Sequence, residues 1–152
     1  MIRDDIKAAL VTAMKGGDKA GTATLRLIQS ALKNRDIELR GGSGAPSDDD
    51  LLVTELLQKM IKQRRESVAL YEQGGRQELA DAEKAEIGVI EAFLPKQMSE
   101  EEAKAAIDAI VAETGASSVK DMGRVMAALK DKHAGEMDMS KASGLVKARL
   151  SA

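Results

Sequence analysis

Apolar residues recur along this chain with the spacing of amphipathic helices and nowhere with the alternation of a half-buried strand. Ile2, Ile6, Leu10 and Met14 repeat every four residues, which predicts a first helix with one apolar side, ended by Gly16-Gly17. A second helix is expected to start between Asp18 and Thr22 and to run through Leu25, Ile28, Leu32 and Leu39. It meets Gly41-Gly42-Ser43-Gly44-Ala45-Pro46, whose glycines and proline predict a flexible loop. Ser47 with Asp50, supported by Asp48 and Asp49, resembles a capping arrangement for a third and longest helix, which runs to Tyr71 and is closed by Gly74-Gly75. A fourth carries Leu79, Ile87, Ile90 and Leu94 and stops at Leu94-Pro95, because proline lacks an amide donor and disfavours helical geometry in the residue before it.

Beyond that boundary, Ser99 and Glu102 form a capping box for a helix with Ala103, Ile107, Ile110 and Val111 on its apolar face, ended by Gly115. Ser118 to Asp121 caps a sixth helix, in which Met122, Val125, Met126 and Leu129 fall at i, i+3, i+4 and i+7. Gly135 breaks the chain, and Asp138 or Ser140 caps a last helix carrying Leu145, Val146 and Leu150. The pattern predicts an all-α protein in two parts: residues 1–94 with about four helices, and a three-helix module over residues 95–152. The paired-glycine breaks at 16, 41 and 74 divide the first part into similar pieces without a strict repeat.

Composition removes several function classes. The chain has 152 residues with no cysteine, so disulfides, thiolate zinc sites and cysteine nucleophiles are excluded together, and a reducing, cytoplasmic setting is expected. Tyr71 and Phe93 are the aromatics, too few for stacking single-stranded bases or caging a quaternary amine. The first 19 residues are neither signal peptide nor membrane span, so no membrane association is expected. Charge is uneven: residues 1–114 hold 16 Lys+Arg against 21 Asp+Glu, and residues 115–152 hold 7 against 4, so the last quarter is the basic end.

No catalytic constellation is visible. His133 is the sole histidine and sits near a predicted helix C-terminus, where its polarity suits the helix end better than a metal site lacking a second His or Cys. Glu100, Glu101 and Glu102 read as the charged first turn of a helix. The Gly41–Gly44 run lacks the Lys-Ser/Thr of a phosphate loop, and Met122 and Met126 match a core stripe. Lys59, Lys62 and Arg65 lie on neighbouring turns and form a secondary basic stripe, read first as a solvated face. No metal or other cofactor is implied.

The segment Phe93-Leu94-Pro95-Lys96-Gln97-Met98-Ser99-Glu100-Glu101-Glu102, followed by Gly115-Ala116 and Asp121-Met122-Gly123-Arg124-Val125-Met126, resembles the GatB/YqeY family. Lys62-Gln63-Arg64 extends the resemblance to the N-terminal helices of stand-alone members. In the B subunit of the glutamine-dependent tRNA amidotransferase the related segment is a C-terminal, tRNA-contacting tail, separate from the catalytic region. The family label of carbon-nitrogen ligase with glutamine as amido donor therefore does not itself imply activity in this chain. The turn Gly135-Glu136-Met137-Asp138-Met139 departs from the family pattern, with Glu136 and Met139 replacing a cation and a glycine.

Carried over position by position, the resemblance makes Lys120, Gly123, Arg124 and Lys141 the candidate nucleic-acid-binding residues. Lys120 and Arg124 are four apart and are expected on one face of the sixth helix, with Lys120 near amides that favour phosphate. Gly123 is expected at a close approach, first of all of another helix. The leading expectation is a non-catalytic accessory protein that binds tRNA. The alternative is a protein-interaction adaptor docking on an amidotransferase subunit or an aminoacyl-tRNA synthetase, and a carbon-nitrogen ligase stands third.

Overall fold

The computed structural model describes residues 1–40 and 48–152, and all the regular structure among them is helical. Two compact units divide the chain, Met1–Leu94 and Pro95–Ala152. The first contains α1 (Ile2–Lys15), α2 (Lys19–Arg40), α3 (Asp49–Gln73) and α4 (Gln77–Glu91). The second contains α5 (Glu100–Thr114), a 3₁₀ turn at Val119–Asp121, α6 (Met122–His133) and α7 (Met139–Ser151). The expected Gly41–Pro46 loop and the Ser47 cap fall outside the described residues.

Local chemistry sets the helix ends. In both described Gly-Gly pairs the first glycine keeps an ordinary negative φ and the second turns left-handed, Gly17 at φ 71° and Gly75 at φ 69°. The reversal lets Asp18 N–H reach the Ala13 carbonyl at 2.9 Å and Arg76 N–H reach that of Tyr71 at 2.8 Å, closing α1 and α3. The start of α3 is capped by Asp48, whose carboxylate accepts the amides of Asp50 at 3.0 Å and Leu51 at 3.4 Å.

Ile6, Ile28, Val53, Leu57 and Ile90 meet in the core of the first unit, each fully buried. Each such side chain contributes about 1.5–3 kcal/mol by leaving water. Met14, expected beside Ile2, Ile6 and Leu10, is instead 53% exposed. A four-residue repeat overshoots a 3.6-residue turn by about 40° per step, so by the third step the stripe has rotated away and Ala13 takes the inward place. In α4 the inward residue is Ala80, fully buried two turns before Ile87, while Leu79 is 39% exposed. That helix also ends at Glu91 rather than Leu94, because Phe93 and Leu94 donate to Ile90 and Glu91 in short i→i−3 turns.

One ionic node ties three helices of this unit together. The Arg3 guanidinium on α1 donates to Asp36 on α2 at 2.9 Å and to Asp49 on α3 at 2.9 and 3.1 Å, and Ile2 N–H donates to Asp50 at 2.9 Å. Arg3 holds the Asp49 carboxyl below its usual range, chiefly through the side-chain hydrogen bond.

In the second unit, Ile107, Ile110, Val125, Leu129 and Val146 form the core, with Met122 and Met126 half-buried against it. The capping box at α5 forms as expected: Ser99 Oγ accepts Glu102 N–H at 3.1 Å and Glu102 accepts Ser99 N–H at 3.2 Å. Asp138 caps α7, accepting Ser140 N–H at 2.8 Å.

Candidate functional site

Lys120 does not lie on α6. It is exposed in the 3₁₀ turn before it, so Lys120 and Arg124 stand on two successive elements and not on the one α-helix expected. The turn is organised by Asp121. One carboxylate oxygen accepts the amides of Ser117 at 2.9 Å and Ser118 at 3.3 Å, and the other accepts Arg124 at 2.9 Å. Those bonds, led by the two backbone amides, hold the Asp121 carboxyl below its usual range. The amides of Ser117 and Ser118, just before the turn, thus already hold a carboxylate.

Arg124 leans on Asp121 but its side chain stays 58% exposed. Gly123 beside it faces open space: a Cβ there would meet nothing within 4 Å, so no described helix packs against it and the expected helix contact is absent. Lys141 is exposed in the first turn of α7, next to the cap at Asp138. Because α7 packs along α6 and meets the 3₁₀ turn, Lys141 sits near the His133 end of α6 and Lys120, Gly123 and Arg124 at the other. The structure thus groups three of the four residues and sets the fourth roughly 15 Å away along the helix, at 1.5 Å per residue.

Electrostatics differ from the sequence division. The folded unit, residues 95–152, includes α5 and holds 9 Lys+Arg against 9 Asp+Glu, so it is neutral overall rather than basic. Its charge is separated by helix instead. The acids Glu100, Glu101, Glu102, Asp108 and Glu113 lie on α5, and two cations from the other helices are tied to them, Lys132 to Glu113 and Arg149 to Asp108. Lys120, Lys130, Lys141 and Lys147 remain exposed along the 3₁₀ turn, α6 and α7 without a partner among the described residues. Lys130 and Lys147 were missed from the sequence because no motif marks them; the seven cations after residue 115 were the one available signal.

The departing turn has structural employment for its unusual residues. Gly135 is left-handed at φ 82°, Glu136 lies 3.2 Å from His133 Nδ1, and Met139 packs on the core. His133 is therefore a partner in a helix-end contact. Among the described residues no group of three or more His, Asp and Glu is placed to hold a metal ion.

The secondary stripe diverges. Residues three apart step back about 60° around a helix, so Lys59 and Arg65 point to different neighbours. Lys59 lines a groove toward α2, while Arg65 reaches Glu91 of α4 at 3.1 Å, below the Arg64–Glu86 pair at 2.8 Å. Lys62 between them is exposed.

Comparison with known proteins gives a family. The sequence model described as "Yqey-like protein" matches residues 3–150. An uncharacterized protein of Schizosaccharomyces pombe is 31% identical over 94 residues, covering 62% of this chain and 72% of that one. The protein named "Altered inheritance of mitochondria protein 41, mitochondrial" is 29% identical over 90 residues in Lachancea thermotolerans, covering 59% of this chain and 46% of that one. Its namesake in Meyerozyma guilliermondii is 28% identical over 141 residues, covering 93% of this chain and 64% of that one. This chain thus spans about half to two thirds of the length of the proteins bearing that name. No helix among the described residues is long and apolar enough to cross a membrane.

Proposed function

The chain belongs to the Yqey-like protein family, and from that premise we propose that it is a non-catalytic accessory protein that binds tRNA through residues 95–152. The observation carrying this reading is the set of cations left exposed along the 3₁₀ turn, α6 and α7 after α5 has neutralised Lys132 and Arg149. Lys120 and Arg124 at one end, and Lys141 at the other, suit separate phosphates of a folded RNA recognised by shape and backbone. Such binding is electrostatic and falls with salt. The cysteine-free composition suits the cytoplasm in this reading, and the mitochondrial label belongs to the yeast relatives.

The test is equilibrium titration of the full chain with deacylated total tRNA and with an unrelated duplex RNA across a range of salt. Preferential, salt-sensitive binding to tRNA is expected. The Lys120→Glu/Arg124→Glu double variant should weaken it and flatten the salt dependence by roughly two phosphate contacts. Unchanged binding in that variant sinks the residue assignment. No binding at low salt sinks the RNA reading and transfers the function to the protein-adaptor alternative.

A further inference from the structure

The first unit carries a charged face of its own on α2. That helix turns Thr24, Leu25, Ile28 and Leu32 into the core. Away from them Arg26, Lys33 and Arg40 are exposed, and none makes an ion pair or hydrogen bond among the described residues. Residues seven apart differ by about 20° around a helix and about 10.5 Å along it, so the three cations form one stripe. The two carboxylates of α2 are engaged elsewhere, Asp36 by Arg3 and Glu38 by Arg35. Residues 1–94 hold 14 Lys+Arg against 16 Asp+Glu, so the stripe is a local feature of an otherwise acidic unit.

Beside the stripe, on the side of α2 opposite the core, Leu27, Ser30, Asn34 and Ile37 fall at i, i+3, i+7 and i+10. All four are exposed, Leu27 at 47% and Ile37 at 51%. That is the spacing of a two-helix seam, and Arg26, Lys33 and Arg40 occupy one flank of it, where charges select the partner helix.

We propose that this face docks an acidic amphipathic helix of another protein, with carboxylates seven residues apart along one edge. Charge selects the occupant. Such a helix repeats its carboxylates at the period of the three cations and covers Leu27 and Ile37 with its own apolar side. A second copy of the chain sets cation against cation when antiparallel, and offers only the engaged Glu38 when parallel. A phosphate backbone answers the cations but leaves Leu27 and Ile37 in water, and a bilayer has to bury Ser30 and Asn34 between them. The face lies within residues 1–94, so it stands independently of the RNA reading.

Fluorescence anisotropy tests this with the full chain and a labelled three-heptad helical peptide carrying leucine at its seam and glutamate on both flanks. Far-UV circular dichroism confirms that each variant of the chain stays helical. The wild type is expected to bind at roughly ten micromolar. Arg26→Glu/Lys33→Glu should weaken binding at least about tenfold through like-charge contact, and Leu27→Ser/Ile37→Ser several-fold. A peptide with lysine in place of glutamate should prefer the charge-reversed chain to the wild type. No binding at roughly half-millimolar chain overturns the proposal, and so does an unchanged affinity in either variant. Binding of tRNA or of phosphatidylserine vesicles that falls about tenfold in Arg26→Glu/Lys33→Glu gives the face to a phosphate ligand and overturns it too. A dimer of the chain, seen by sedimentation equilibrium and dissolved by the same variant, does likewise.

Discussion

The side-chain amide of Gln97 bridges two distant points of the backbone, donating to the carbonyl of Pro95 at 2.9 Å and to that of Gly135 at 2.7 Å. Beside it, Met98 N–H donates to Glu136 O at 2.7 Å. The start of the second unit is thereby clipped to the turn between α6 and α7, and the glutamine of the Leu94-Pro95-Lys96-Gln97 segment has a structural task. Gln97→Glu replaces the donor with an acceptor facing the carbonyl of the buried Gly135. The expected cost is about 1–3 kcal/mol, the range for a buried carbonyl left unsatisfied. Hydrogen exchange at the Met98 amide should accelerate with it, and an unchanged exchange rate at that amide would rule the clip out.

Arg3 serves three helices at once, so Arg3→Ala should destabilise the first unit by about 1–2 kcal/mol, less than a fully buried network because its partners are partly solvated. The acid response follows from Asp49. Its carboxyl is held low in the folded state, so its contribution is present above the unfolded carboxyl value of about 4 and is lost as pH falls through the lower folded value. Denaturant melts at neutral and acid pH should show a steep acid decline in the wild type and a shallower one in Arg3→Ala. Parallel declines would remove Asp49 as the cause.

Helix number, the capping box at Ser99 and the core stripe of α6 were legible because each rests on local chemistry: a capping side chain, a period near 3.6, or a glycine that can turn left-handed. Lys120 was placed wrongly because capping signals locate a helix entrance without showing whether its first turn is α or 3₁₀. Residues 115–152 remain basic and the neutral total of residues 95–152 can be counted from the sequence, but which cations are tied to α5 could not be read there. Lys132–Glu113 and Arg149–Asp108 join residues 19 and 41 positions apart, and such pairings belong to packing rather than to a sequence window. The Gln97 clip, 38 residues long, was hidden in the same way.

Asp121 makes a prediction whose sign opposes simple disruption of the site. Asp121→Asn keeps a side-chain oxygen for the amides of Ser117 and Ser118 but removes a negative charge beside Lys120 and Arg124. If RNA phosphates approach there, affinity should rise several-fold at low salt, with the gain shrinking as salt screens it. Titration of wild type and Asp121→Asn against tRNA decides the matter, and a loss of affinity would mean that the charged carboxylate is needed to aim Arg124.

The neighbours Leu79 and Ala80 invert the usual expectation that the larger apolar residue matters more. Leu79 is 39% exposed, so Leu79→Ala removes little buried surface and should cost under about 1 kcal/mol. Ala80 is fully buried against α4's neighbours in the first unit, two turns before Ile87 on the inward face. Ala80→Leu must fit three further carbons into a close-packed interior, which forces side chains off their rotamers at about 1–3 kcal/mol or more. Chemical denaturation of the two variants should therefore rank the added leucine as the more damaging change. The opposite ranking would mean that α4 turns its Leu79 side inward in solution, and with it the assignment of the inward face of this helix would fall.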